Sequence, residues 1–379
     1  MAGLSPRGRR TLLAVIVLYA VVTVPLAVHK GEDIASEFAQ SDLLLRGAPV
    51  YLVPQNQGVW WPPFALAAIA PFALVARLSL PLAKACWAVC SILCLAWSVD
   101  RTGRWAPGRA VALALLAVAL PIQYNFQHLN INAPLLALAV AAAEDWERNE
   151  TRAGLWVALA TALKVFPGLL ILLFAFRRKW RAFAVSAAGA VLLTGAAMLP
   201  YGVTGAVRAV GRWMTLNLHA TSYAGGAVAA LEMQKLSRLV YAAGGGGVAA
   251  VAAHLTLLAL AWWALDSRGG TGPNPRRDVG IALVVACLLS PIGWLHTFTL
   301  AYLLWVCALS TPERGRPRWR AALWLTAGVL TSGYLGKVPW PAPLAWVPGH
   351  NDTLGSILLL LLVATAPPPA LSAPRPEPA

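Results

Sequence analysis

The chain has 379 residues, 59% of them hydrophobic and only 12% charged, a composition that excludes a soluble globular protein and reads as a polytopic membrane protein. Its net charge of +15 is spread over short basic clusters between apolar runs, the pattern of cytoplasmic loops facing anionic headgroups, so membrane lipid is an expected partner and nucleic acid is not. The five cysteines, Cys86, Cys90, Cys94, Cys287 and Cys307, lie in apolar segments and offer no disulfide framework. Cys86, Cys90 and Cys94 share one helix face, and packing against a neighbouring helix is the expected use rather than metal binding.

Residues 1–366 read as one all-α integral membrane domain, and 367–379 as a Pro-rich, disordered cytoplasmic tail. Arg7, Arg9 and Arg10 precede a first span at 11–28, and no small-residue cleavage site follows Val28, so the segment reads as a retained anchor with a cytoplasmic amino terminus. Loop 29–60 then lies outside. It carries Glu32, Asp33, Glu37 and Asp42 against Lys30 and Arg46, and Ile34, Phe38, Leu43, Leu44 and Leu45 follow a helical spacing that predicts a helix along the membrane surface. Trp60, Trp61, Pro62 and Pro63 mark the return to the bilayer.

Further spans are expected at 62–78, 82–99, 107–121, 133–143, 154–176, 182–199, 248–265, 279–289, 298–309, 321–335 and 354–366, about twelve in all. Arg177, Arg178, Lys179 and Arg181, then Arg268, Arg276 and Arg277, then Arg314, Arg316, Arg318 and Arg320 place alternate ends in the cytoplasm. Segment 200–247 is expected outside, in short helical patches ending at a flexible break over 244–247. One region resists the alternation. It would set Gln127 and Asn130 inside and Arg101, Arg104 and Arg109 outside, against the charge bias, unless a broken or re-entrant helix lies between 82 and 143; the depth of the polar run 123–130 stays open.

Ionisable groups at the edges of spans are candidates for function. Asp33, at the foot of the first span, is placed for partial desolvation, a raised proton affinity and use as a base, or equally for a solvated loop acid or a cap beside Gly31. Lys164 reads as a snorkelling cation or the partner of a carboxylate, and His296 beside Trp294 as a site residue or an interfacial one. The run from Trp60 to Pro63 is more often an anchor than a site. The chain has no phosphate-binding Gly-rich loop and no Gly-x-Ser-x-Gly elbow, which disfavours nucleotide-driven chemistry.

The order and spacing of Asp33, of Gly47 with Pro49 and Tyr51, of Trp61, Pro62 and Pro63, of Gln127 and Asn130, of Ala153 and Gly154 with Lys164 and Pro167, and of Ser290, Pro291, Trp294 and His296 resembles glycosyltransferase family 87 over roughly residues 16–309. The resemblance implies a GT-C-type membrane fold and a polyprenyl-phosphate sugar, commonly mannose, as donor. It also implies a lipid-linked or glycan acceptor, and an active site on the extracytoplasmic side of the inner or plasma membrane, both termini being cytoplasmic. In that setting Asp33 is the expected general base, with inversion at the sugar carbon. His296 and Lys164 are expected to hold the donor phosphate, and Glu37, Trp60, Trp61, Gln127, Asn130 and Trp294 to bind substrate. A polyprenyl phosphate is already a competent leaving group, so neither metal nor cofactor is expected. The chain departs from the family pattern where Glu37 and Phe38 stand in place of the usual tyrosines and where Leu295 precedes the histidine, which bears on sugar and acceptor. Two other classes remain. A flippase or transporter of lipid-linked sugar predicts internal repeats between halves, of which the sequence shows none, and a lipid-linked glycan ligase predicts outer arginines rather than a first-loop aspartate.

Overall fold

The computed structural model describes residues 6–51, 61–222, 235–266, 274–290, 293–310, 317–337 and 347–366, so Trp60, Pro291, Arg268, Arg314, Arg316 and the tail lie outside the described residues. Within them the chain is helical, without a β-strand, as a medium that cannot hydrogen-bond to backbone demands. The helices are α1 (Pro6–Lys30), α2 (Glu32–Leu45), α3 (Pro63–Ala68), α4 (Ala70–Leu78), α5 (Leu80–Thr102), α6 (Gly108–Ala117), α7 (Ala119–His128), α8 (Asn132–Asp145) and α9 (Glu150–Leu163). They continue with α10 (Leu169–Phe176), α11 (Trp180–Ala196), α12 (Gly202–Ser222), α13 (Leu236–Ala242), α14 (Gly247–Asp266), α15 (Pro275–Leu289), α16 (Tyr302–Ser310), α17 (Arg318–Thr331) and α18 (Asn351–Ala364).

Among the described residues, α5 and α14 are, each alone, long and apolar enough to cross a bilayer, and up to five crossings result if each bent pair counts as one. The bent pairs are α1 with α2 at 64°, α6 with α7 at 61°, and α11 with the turn Leu199–Tyr201 and α12 at 47°. Three interruptions share a cause. α6 ends at Ala117, α9 at Leu163 and α11 at Ala196, each four residues before a proline, namely Pro121, Pro167 and Pro200. Proline has no N–H to return to that fourth carbonyl and its ring crowds it, so the helix stops or turns there. The polar run expected between two spans is therefore mostly the second arm of a broken helix, α7.

α1 packs on α5 and α7, α5 on α4 and α8, α9 on α8 and α11, and α15 on α10, α14 and α16. Close approach of α9 and α11 depends on Gly154, where a Cβ would fall 2.7 Å from the Ala182 carbonyl oxygen. Outward faces keep large apolar side chains exposed, among them Leu18 and Val21 on α1, Val191 and Leu192 on α11 and Val248 and Leu255 on α14, a surface suited to lipid tails. Cys86 belongs to such a face, so the expected packing fails for it; Cys90 and Cys94 are half-buried, and Cys287 and Cys307 are fully enclosed.

α2 lies against α3 and α4, where Ser41 Oγ donates to the Leu66 carbonyl at 2.7 Å, Phe38 stacks on Phe72 and Asp42 pairs with Arg77. Its buried face holds Ile34, Phe38 and Leu44 of the stripe expected in the first loop together with Glu37, Gln40 and Ser41, whereas Leu43 is half-buried and Leu45 is exposed.

Candidate active site

α1 and α2 meet at Gly31, and the junction is tight. A Cβ there would lie 2.5 Å from Leu129 Cδ1 and 2.7 Å from the Ala27 carbonyl, so no larger residue lets Leu129 sit against the bend. Leu129 itself has φ 53° and ψ 41°, a left-handed conformation that costs a non-glycine residue about 1 kcal/mol. Trp87 Nε1 donates to its carbonyl at 2.8 Å and the Asn130 N–H returns to the Asn125 carbonyl at 2.9 Å, which together hold the turn. The turn aims the residues on either side of Leu129 at one carboxylate, that of Asp33.

Asn130 Nδ2 donates to Asp33 Oδ2 at 3.4 Å, and His128 Nδ1 stands 3.6 Å from Asp33 Oδ1. On its other side Asn130 Oδ1 accepts from Lys164 Nζ at 2.9 Å and from the Ile131 N–H at 2.9 Å. An ammonium and a backbone N–H can only donate, which fixes the sense of the amide. Lys164 reaches this point because α9 has just ended. Its backbone is extended (φ −159°, ψ 131°), and its Nζ lies 5.7 Å from the centre of the Phe166 ring. Asn132 Nδ2 is within reach of Asn125 Oδ1 at 3.2 Å, Asn130 Oδ1 at 3.3 Å and the His296 carbonyl at 3.2 Å, tying α8 to the turn Leu295–Ala301.

His296 is 4% exposed, and its Nε2 has no hydrogen-bond partner. Its ring lies parallel to Trp294 at 6.4 Å between centres and 5.8 Å from the ring of His128. One turn along α2 from Asp33, Glu37 is 3% exposed; its Oε1 accepts from the Trp61 N–H at 3.4 Å and its Oε2 has no partner.

The two carboxyls of α2 separate in proton affinity. Burial pushes Glu37 up to about 8, and the charge of Asp33 adds to the shift, so Glu37 is a neutral acid at neutral pH. Burial also works to raise Asp33, but His128 and Asn130 at its two oxygens and the nearby His296 outweigh it and hold the carboxyl below its ordinary range. The expected rise at Asp33 is thus corrected. Asp33 is ionised, still 41% exposed, and flanked by His128 and Asn130, while the raised group is its buried neighbour.

Asp33, Asn130, Lys164 and His296 come together as one cluster, with Glu37 beneath. Asn130, expected on substrate, spends its amide on Asp33 and Lys164. Trp61 also departs from expectation. It is 5% exposed, its ring packs against Trp87 and its carbonyl accepts from Tyr51 Oη at 2.9 Å, so it offers no face to a sugar. Trp294 is half-buried over His296, and half-buried Gln127 joins none of these bonds. His128, Asn125 and Asn132 were not singled out in the sequence, although the density of polar side chains around 123–130 was the signal that could have found them.

A carboxylate and a lysine, joined through one amide, form a polar centre where apolar helices break. The chain belongs to glycosyltransferase family 87, whose model matches residues 60–291. The matched span includes Gln127, Asn130 and Lys164; Asp33 precedes it, and Trp294 and His296 follow it. Over 329 residues, 78% of this chain and 70% of the relative, it is 29% identical to the polyprenol-phosphate-mannose-dependent alpha-(1-2)-phosphatidylinositol mannoside mannosyltransferase of Mycolicibacterium smegmatis. It is 26% identical, over 80% of this chain and 70% of the relative, to the corresponding phosphatidylinositol pentamannoside mannosyltransferase of Mycobacterium tuberculosis. No solved structure matches the chain.

Proposed function

We propose that this glycosyltransferase moves mannose from a polyprenyl-phosphate donor to a lipid-linked acceptor of the phosphatidylinositol mannoside class, on the extracytoplasmic face, with inversion and with Asp33 as general base. The observation that carries the reading is the Asp33–Asn130–Lys164 arrangement, which sets an ionised carboxylate beside a cation without a direct ion pair between them. The donor and acceptor come from the names of the two relatives. The GT-C-type architecture of about twelve spans with both termini in the cytoplasm comes from the apolar runs and basic clusters.

In this reading the acceptor oxygen attacks C1 of the β-linked sugar, and the bond from C1 to the phosphate oxygen breaks. The electron pair leaves with polyprenyl phosphate, and the product is α-linked. Lys164 Nζ, through the protons it does not give to Asn130, and His296 Nε2, which has no partner among the described residues, take up the charge that grows on the phosphate. Asp33 takes the hydroxyl proton. A carboxylate of low proton affinity suffices, because a hydroxyl oxygen already bonding to C1 has become strongly acidic. Neither metal nor cofactor enters the proposal.

The experiment is transfer from synthetic polyprenyl-phosphate mannose to phosphatidylinositol mannosides by the purified protein in lipid bilayers. Wild type is expected to yield an α-linked mannoside, and Asp33→Asn to lower turnover about a thousandfold while the protein stays folded. Turnover of Asp33→Asn within a few-fold of wild type overturns the base assignment. A wild type that uses polyprenyl-phosphate arabinose or glucose but not mannose overturns the sugar.

A further inference from the structure

His128, the last residue of α7, neither bonds to Lys164 nor belongs to the buried asparagine set, yet its ring is enclosed by the groups of the site. Asp33 and, one turn further, Glu37 lie on α2; the Tyr124 ring is 5.9 Å away on its own helix; the His296 ring is 5.8 Å away; and Lys164 lies beyond Asn130. Two features single it out. It is 33% exposed, so unlike His296 it can exchange protons with solvent, and it faces the Asp33 oxygen that Asn130 does not touch. The left-handed Leu129 between residues 128 and 130 delivers both side chains to one carboxylate, one to each oxygen. A carboxylate otherwise turns freely about its last bond; the Asn130 amide on Oδ2 and an imidazole nitrogen 3.6 Å from Oδ1 restrain its plane and leave lone pairs for a hydroxyl.

We infer that His128 is a positioning residue for Asp33, holding Oδ1 through its Nδ1–H so that the carboxylate faces the acceptor, and that its charge sets how readily Asp33 accepts a proton. The inference rests on Asp33 being the base. Neutral His128 orients Asp33 and leaves it basic. A second proton on the ring adds a positive charge at the carboxylate, stabilises its ionised form and slows proton uptake from the acceptor. Histidine is the side chain whose charge ordinarily responds to pH in the physiological range, so a pH profile can read this device.

The test is the pH dependence of kcat and the KM for polyprenyl-phosphate mannose in wild type, His128→Gln, His128→Phe and Asp33→Asn, each checked for folding by gel filtration. Glutamine keeps a donor and does not titrate, whereas phenylalanine keeps a ring and has no donor. His128→Phe is expected to lose about ten- to a hundredfold in kcat with little change in KM, and His128→Gln to recover part of that loss. The acid limb of the profile is expected to move down by about one in pH or more in His128→Gln. A limb that stays in place belongs to another group, with His296 the first to examine, and overturns the role of the His128 charge. Wild-type kcat in His128→Phe overturns the positioning role. If His128→Phe does not fold, His128→Leu replaces it with the same expectations. Retained turnover in Asp33→Asn is the separate outcome in which the base assignment itself fails.

Discussion

Two helix starts carry acid–base groups, that of α15 with Asp278 beside Arg177 and that of α2 with Asp33, and the two are built differently. At the first Asp278 is fully enclosed, with Arg177 Nε at 2.9 Å and Nη2 at 2.7 Å on one oxygen and Arg277 at 3.4 Å on the other, while Arg177 also donates to the Leu265 carbonyl at 2.8 Å. At the second Asp33 keeps 41% of its exposure, its neighbours stand at 3.4 and 3.6 Å, and its cation is reached only through Asn130. The close pairing satisfies both oxygens of Asp278 and leaves that carboxylate nothing for a ligand, although Arg277 Nε and Nη1 have no partner among the described residues. The looser cluster leaves capacity on Asp33, on His296 Nε2 and on Glu37 Oε2, which is what a site needs before substrate arrives.

If the contrast is one of structure against function, substitutions at the two helix starts should fail in different ways. At the Asp278 pair, Asp278→Ala leaves two arginines without their anion and should cost about 3–5 kcal/mol of stability, read from the thermal midpoint, while the folded fraction keeps its transfer rate within a few-fold. An unchanged midpoint breaks the comparison. At the Asp33 cluster, Asn130→Ala should do the reverse, lowering kcat about ten- to a hundredfold with the midpoint shifted by only about 1 kcal/mol, since it removes the link between Asp33 and Lys164 and little packing. A large loss of stability with wild-type kcat would make Asn130 a structural residue.

A smaller effect separates the two carboxyls of α2. Glu37 has an ordinary value of 4.5 and is held at about 8 in the fold, so the folded state binds its proton more tightly than the unfolded chain. Its stabilising share is complete below pH 4.5 and is lost as pH rises through about 8. Glu37→Gln should flatten the fall in thermal midpoint over that window, measured in parallel with wild type. A wild-type slope in the variant would assign the dependence to another group.

The all-helical, apolar character was legible, because long apolar runs record a bilayer, but twelve spans were expected and the described residues give two to five, three helix ends falling four residues before a proline. The site was legible in part. Asp33, Lys164, His296 and Asn130 stood out because charge and amide are costly among apolar residues, and they do meet. Two things were not readable. The depth of the polar run depends on the 61° bend after Ala117, a property of packing rather than of composition. The aim of Asn130 and His128 depends on a left-handed leucine, and sequence rules look for glycine or asparagine at such a position. Trp61 misled for the opposite reason. Its neighbours mark an interface, yet its backbone serves Glu37 and Tyr51 and its ring fills the core.

The Asn130 amide has a consequence of its own, since it has a head and a tail. Its nitrogen end lies toward the carboxylate and its oxygen end toward the ammonium, and turned over it would set like against like at both. The side chain is a keyed connector, seated in one sense only. It keeps the negative and positive poles of the cleft in a fixed handedness while preventing them from neutralising each other.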